Sequence, residues 1–235
     1  AEELALAREY LAAGPAETLG NSVRANELRA LASLGRMEEI DAILTEVLLE
    51  PDNVTDDSSE MRRVVYELRA HGFREEAQAL AERTVAWFES GAGLSAGTRC
   101  DPCEAYAFMA AERYEKALDI LQELLDENPE IRGWTTALGV CAAHLGDRAT
   151  ALEMDTMLVE LGENIGPTGV PYGSRGLTEI NRADIAARLG DLDRAIHLIQ
   201  QAVAAGYNDY MWIHVDPAFE PLWDDPEFQE ILRPN

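Results

Sequence analysis

The sequence predicts an all-α fold built from about five helical hairpins. Three observations predict it: a turn that recurs five times, an apolar stripe with helical spacing after the turn, and loop-like segments between the repeats. The recurring segments are LASLGRMEEI, LRAHGFREEA, FMAAERYEKA, AAHLGDRATA and AARLGDLDRA. Because helix, turn and helix alternate in a repeated pattern, we expect hairpins that bury their apolar faces against their neighbours.

The turns are centred on Gly35, Gly72, Glu112, Gly146 and Gly190. Glycine readily adopts the left-handed conformation that ends a helix, so four of the five turns follow from residue type. Five residues after each turn stands a small or branched residue, where the second helix must approach the first closely: Ile40, Ala77, Ala117, Ala151 and Ala195. Apolar residues then recur with helical spacing, as in the stripe Ile40, Ile43, Leu44, Val47 and Leu48.

Gly, Pro, Ser, Thr and Asp concentrate in residues 52–57, 90–98 and 163–174, which is the composition of loops. Residues 2–13 form an Ala/Leu-rich amphipathic helix that ends at Gly14-Pro15. We therefore predict a domain over residues 1–206, with this N-terminal helix followed by repeats at about 21–51, 58–90, 98–129, 132–162 and 174–206.

Residues 207–235 differ from the repeats and are rich in aromatic side chains. Asp216-Pro217 and Asp225-Pro226 each place a helix-capping residue before a proline suited to the first helical position, which predicts two short helices. The large side chains of this segment are Tyr207, Tyr210, Met211, Trp212, Phe219, Leu222, Trp223 and Phe228. Left exposed they would make the chain insoluble, so we predict a cap that covers the last hairpin.

The repeats resemble tetratricopeptide repeats, helix-turn-helix units of about 34 residues. The fourth copy carries Trp134, Leu138, Gly139, Gly146, Ala151 and Leu158 at matching separations, and the third carries Tyr114, Ala117, Leu121, Leu124 and Pro129. This resemblance covers roughly residues 21–205 and implies a right-handed α-α superhelix whose first helices line a concave groove. The two Asp-Pro motifs of residues 207–235 resemble the C-terminal end of such domains in bacterial multidomain sensors. This resemblance implies an upstream kinase, cyclase or regulatory module.

The chain is strongly acidic, with 44 Asp plus Glu against 19 Lys plus Arg, and its only lysine is Lys116. A net charge of −25 argues against binding to the phosphates of nucleic acids or of anionic membranes. No apolar run approaches the roughly 20 residues that cross a bilayer. We therefore expect neither a nucleic-acid partner nor membrane insertion. The expected compartment is the cytoplasm or the periplasm, and the sequence leaves the oligomeric state open.

The residue pattern offers no catalytic constellation. His71, His144, His197 and His214 fall in four different helices or turns, without a His-x-x-x-His or Glu-x-x-His pair for a metal. The Gly-rich segment GAGLSAG at 91–97 contains a Gly-x-Ser-x-Gly sequence, but it lacks the Lys-Ser/Thr of a phosphate loop and has the composition of a linker between repeats. We therefore expect no enzyme activity, no cofactor and no metal, and a stand-alone enzyme is the least favoured alternative.

Cys100 and Cys103 form a Cys-x-x-Cys motif around Asp101-Pro102. No second pair is present to complete a zinc site, and the helical surroundings are unlike those of redox enzymes. We expect two reduced thiols, with a disulfide between them as the alternative and a redox or metal role as the least favoured.

The scarce basic residues predict a binding groove. Projection of the first helices places these side chains on the concave face: Asn26, Arg29, Arg62, Arg63, Tyr66, Arg69, Arg99, Tyr106, Met109, His144, Asn181, Asp184 and Arg188. One interpretation is that the arginines neutralise nearby carboxylates such as Glu27, Glu60 and Glu67, each pair worth little. The other is an anion-accepting groove with aromatic walls, suited to an acidic peptide or a C-terminal carboxylate.

Chaperone-binding tetratricopeptide domains carry a carboxylate clamp of Lys, Asn and Arg. This sequence has Asn26 and the arginines but no lysine in the groove, and Ala25 stands where the clamp has Lys. We therefore expect a non-catalytic scaffold that binds a peptide or protein other than a chaperone tail. The alternative is a ligand-sensing regulatory domain of a larger signalling protein.

Overall fold

The computed structural model describes residues 2–12, 17–48, 54–90, 101–163 and 174–233. Throughout these residues the chain is helical and contains no strand, so the predicted all-α class is confirmed. The chain divides into two compact units, an N-terminal unit of Ala1–Ala111 and a C-terminal unit of Glu112–Asn235. The sequence predicts its main boundary at residue 206 instead.

The described helices of the N-terminal unit are α1 (Glu2–Ala12), α2 (Glu17–Ser33), α3 (Met37–Leu48), α4 (Val54–Ala70), α5 (Arg74–Glu89) and α6 (Asp101–Ala110). Those of the C-terminal unit are α7 (Tyr114–Glu127), α8 (Arg132–His144), α9 (Arg148–Glu163), α10 (Leu177–Arg188), α11 (Leu192–Ala204), α12 (Tyr210–Val215) and α13 (Pro226–Ile231). Two 3-10 segments, Ser174–Gly176 and Pro217–Leu222, complete this unit. Helix α4 starts inside the predicted loop 52–57, where acidic residues suit a helix N-terminus.

All five predicted turn residues have a positive φ: 65° at Gly35, 88° at Gly72, 59° at Glu112, 79° at Gly146 and 77° at Gly190. After four of these turns a backbone N–H returns to a carbonyl of the preceding helix, for example from Phe73 to Leu68 at 2.9 Å and from Asp147 to Ala142 at 2.9 Å. This bond is the mark of a left-handed helix end. The turns that the repeat pattern predicts are therefore present.

Helix packing follows the same order in both units. In the N-terminal unit, the first helix α4 packs against α2 and α6 as well as against its own second helix α5. In the C-terminal unit, α8 packs against α10 and α9 in the same way. The residues five positions after each turn, Ile40, Ala77, Ala117, Ala151 and Ala195, are fully buried. Within each unit, the first helices therefore lie side by side.

The aromatic segment forms part of the last core of the C-terminal unit. Phe219 and Phe228 are fully buried with Ile180 and Ile199, and the two phenyl rings lie 6.1 Å apart. Asp216 accepts a hydrogen bond from the N–H of Ala218, and Asp225 accepts from those of Glu227 and Phe228, so the predicted caps are present.

This segment consists of α12, the 3-10 helix Pro217–Leu222 and α13, and it packs on α10 and α11. Because Pro217 and Pro221 donate no backbone hydrogen bond, the first half is broken into α12 and a 3-10 helix. The sequence predicts the two helices that follow Asp-Pro but not α12, which Asp209 caps through the N–H of Trp212.

Candidate partner-binding face

The candidate site is the surface of the N-terminal unit formed by α2, α4 and α6, called here the first-helix face. Arg29, Tyr66 and Tyr106 each lie six residues before the turn of their hairpin. Because α4 packs against both α2 and α6, these equivalent positions form one row across the three helices. The predicted residues Asn26, Arg62, Arg63, Arg69 and Met109 lie on the same helices.

Arg62 joins α4 to α6 through aromatic contacts. Its guanidinium carbon lies 4.4 Å from the centre of the Tyr106 ring and 5.9 Å from that of Tyr66. A guanidinium within about 6 Å of an aromatic face is attracted by the ring quadrupole. Arg62 and Tyr106 are both half-buried, so part of this cluster reaches the surface.

Arg29 is held in an ion pair rather than presented to solvent. Its Nε donates to Glu67 Oε1 at 2.9 Å and its Nη2 lies 2.7 Å from the same oxygen. The two side chains are 11% and 8% exposed, so Glu67 neutralises the charge of Arg29 within the protein. At Arg29, the interpretation that arginines neutralise neighbouring carboxylates therefore holds, and the first-helix face is not uniformly positive.

Glu27 is another carboxylate expected to pair with the groove arginines, but its partners are different. Arg8 of α1 donates to it at 2.9 Å, and Arg24 lies 3.7 Å away. Arg8 also donates to Glu39 at 2.7 Å, which lowers the pKa of the Glu39 carboxyl below its ordinary value. This network accompanies the packing of α1 on α2 and links α1 to Glu39 of α3.

Three of the predicted groove side chains are buried: Tyr66, Arg69 and Met109. Arg69 donates through Nη2 to the carbonyl oxygen of Ala110 at the end of α6, at 3.4 Å. These residues support the face from beneath instead of lining it. The accessible members are Asn26, which is exposed, and the half-buried Arg62, Arg63 and Tyr106, so the face is narrower than the sequence predicts.

The remaining predicted groove residues lie elsewhere. His144 stacks on Tyr114 with ring centres 3.8 Å apart and planes 13° apart, and Asn181, Asp184 and Arg188 are half-buried on α10. All of these belong to the C-terminal unit and form no part of the first-helix face. Arg99 lies outside the described residues.

The cysteines differ from expectation in one respect. Cys103 is buried and disulfide-bonded, so the expectation of a reduced thiol is wrong at this position. Cys100 lies outside the described residues, and its pairing with Cys103 stays a prediction. Cys141 is a free, buried thiol. Burial raises its pKa to about 12, which keeps it protonated and unreactive at neutral pH.

Sequence reasoning missed one buried charge cluster, in the C-terminal unit. Asp155 accepts from Arg182 at 3.1 and 3.3 Å and from Arg194 at 2.7 Å, which ties α9 to α10 and α11. Asp155 stands nine residues after its turn, a place held in the other repeats by Leu44, Ala81, Leu121 and Ile199. A carboxylate in an otherwise apolar position was the signal that could have revealed it.

Among the described residues, no group of three or more His, Cys, Asp or Glu side chains is arranged to hold a metal ion. None of the described helices has the length and apolar character needed to span a bilayer. Comparison with protein-family models, with curated proteins and with solved structures finds no match to this chain.

Proposed function

We propose that this protein is a non-catalytic scaffold of the tetratricopeptide type, a right-handed helical repeat that binds an extended segment of a partner protein on the first-helix face. The observation that carries the proposal is the position of Arg62, whose guanidinium lies over the Tyr106 ring of the adjacent first helix and near the Tyr66 ring of its own, while part of the cluster stays accessible. The repeated hairpins supply the row of parallel helices that such a binding mode requires.

The chemistry of this cluster suits protein recognition. Tyr and Arg are enriched among the residues that contribute most to protein interfaces. A guanidinium already stacked on a ring loses less conformational freedom when it binds a carboxylate than a free side chain would. Arg62 therefore serves as an anchor for a carboxylate, and Tyr106 supplies apolar contact beside it.

The charge of the surroundings limits the kind of segment that fits. Glu67 neutralises Arg29, and Arg62 and Arg63 are half-buried arginines on α4 of the same face. The chain as a whole carries −25 and repels a densely acidic ligand. The proposed partner segment therefore carries one or two carboxylates next to an aromatic or aliphatic side chain.

The test is selection of peptides from a random library on the full chain, followed by affinity measurements on variants. Charge-assisted hydrogen bonds contribute about 1.5–3 kcal/mol, so Arg62→Ala should weaken binding of the selected peptides about tenfold or more. Tyr106→Ala should also weaken binding, because it removes the apolar contact beside Arg62. Arg36→Ala is the matched control, because Arg36 is an exposed arginine of the same unit in the turn after α2. Equal affinity of wild type and Arg62→Ala for every selected peptide would refute the proposed face.

A further inference from the structure

A half-open cavity of about 350 Å³ lies between α3, α4 and α5 of the N-terminal unit. Its walls are apolar: Leu44 comes from α3, Met61 from α4, and Leu80, Ala86 and Trp87 from α5. Small-molecule sites in proteins occupy roughly 300–1,000 Å³ and are lined mainly by apolar and aromatic side chains. The cavity matches that description in both size and lining.

The few polar groups of the lining are already satisfied within the protein. Thr84 directs its hydroxyl proton to the carbonyl oxygen of Leu80 at 2.9 Å, with the sulfur of Met61 at 3.6 Å. Arg83 is paired with Asp41 at 2.6 Å, so the one charged side chain of the lining is compensated within the protein. A ligand therefore meets mainly apolar walls.

The walls are held in place by contacts that would be lost if the cavity collapsed. Leu44, Met61 and Leu80 are almost completely buried. The exposed Asp41–Arg83 pair links α3 to α5 beside the cavity. The Trp87 ring rests edge-to-face on the buried Phe88, with ring centres 4.9 Å apart. Because the cavity is half-open and its lining is largely apolar, a ligand that fills it buries apolar surface that solvent otherwise reaches.

We propose that this cavity binds a small, uncharged, apolar molecule with an aromatic or alicyclic body of about two fused rings. An engineered apolar cavity of about 150 Å³ holds one benzene molecule, and the present cavity is more than twice that size. The charge of −25 on the chain selects against an anion, and Arg83, the charged residue of the lining, is already paired with Asp41. This site is independent of the first-helix face and of the partner proposed for it.

The probe for the test is N-phenyl-1-naphthylamine, an uncharged fluorophore with an apolar fused-ring body. Titration into the full chain should show saturable binding at one site. Because Trp87 lines the cavity, energy transfer from tryptophan to the bound probe should fall sharply in Trp87→Phe. Transfer that is unchanged in this variant would place the probe elsewhere and overturn the proposal.

Two variants fill the cavity from different walls. Leu44→Phe and Thr84→Met should each weaken binding of the probe at least tenfold while the helical circular dichroism stays as in wild type. Leu34→Phe makes the same substitution as the first variant at an exposed position of the same unit and should bind as wild type does. If one filling variant fails to fold, the other still decides the question.

Three results would overturn the proposal. The first is the lack of saturable binding in wild type, and the second is binding to both filling variants that equals wild type. The third concerns ligand class: the anionic relative 8-anilinonaphthalene-1-sulfonate should bind at least tenfold more weakly than the uncharged probe. Equal or tighter binding of the anion would contradict the assignment to an uncharged ligand.

Discussion

At the scale of single residues, Asp155 tests how much one buried charge contributes. Its carboxylate is 8% exposed and is shared by Arg182 and Arg194. Arg182 and Arg194 are 24% and 29% exposed and stay partly solvated without Asp155, so the loss is that of a charge-assisted hydrogen bond, about 1.5–3 kcal/mol. We expect Asp155→Ala to lower the free energy of unfolding by about that amount, measured by urea denaturation. Asp41→Ala is the matched control, because its exposed pair with Arg83 should contribute less than about 1 kcal/mol. Equal losses in the two variants would contradict this assignment.

Glu112 shows the cost of a side chain in a glycine position. It has φ of 59° at a turn where four other repeats carry glycine. The left-handed conformation costs a non-glycine residue about 1–2 kcal/mol. Glycine avoids this cost but raises the conformational entropy of the unfolded chain, which offsets part of the gain in stability. We therefore expect Glu112→Gly to stabilise the protein by about 0.5–1 kcal/mol in denaturant unfolding. The reverse change at an equivalent turn, Gly190→Ala, should destabilise, although the space around it is open. A loss of stability in Glu112→Gly would show that its side-chain interactions outweigh the backbone strain.

At the scale of helices, the hairpins were predictable and the details of the site were not. Turn glycines indicate a backbone with positive φ, and the small residue five positions later indicates close packing of two helices. Both features depend on residue type alone and are visible in the sequence. Arg29 pairs with Glu67, whereas Arg62 lies over the Tyr106 ring. This difference depends on side-chain rotamers and on the neighbouring helix. Both arginines look alike in a helical projection, so sequence alone could not tell the paired residue from the stacked one.

The aromatic segment gives a prediction at the same scale. Phe228 is fully buried against the last hairpin, whereas Met211 of the same segment is 49% exposed. Truncation of a buried phenylalanine to alanine costs about 3–5 kcal/mol, so Phe228→Ala should lower the melting temperature strongly and Met211→Ala should leave it almost unchanged. Truncation after Gly206 should have a larger effect still, with aggregation, because it uncovers Ile180 and Ile199. A truncated chain that stays monomeric and equally stable would mean that the segment does not cap the core.

At the scale of the whole molecule, the excess of carboxylates over basic residues sets how stability responds to salt. A net charge of −25 destabilises the compact state through self-repulsion, and the ions in solution screen that repulsion over a Debye length of about 8 Å at 0.15 M. Screening also weakens exposed ion pairs such as Arg83–Asp41, but each of these contributes little. Repulsion among the many carboxylates outweighs attraction within the few exposed ion pairs. We therefore expect the melting temperature to rise as NaCl increases from about 0.01 to 0.3 M. KCl at equal ionic strength should reproduce the rise, since screening does not distinguish the two cations. A melting temperature that falls with salt would mean that ion pairs, and not repulsion among carboxylates, dominate the electrostatics of this fold.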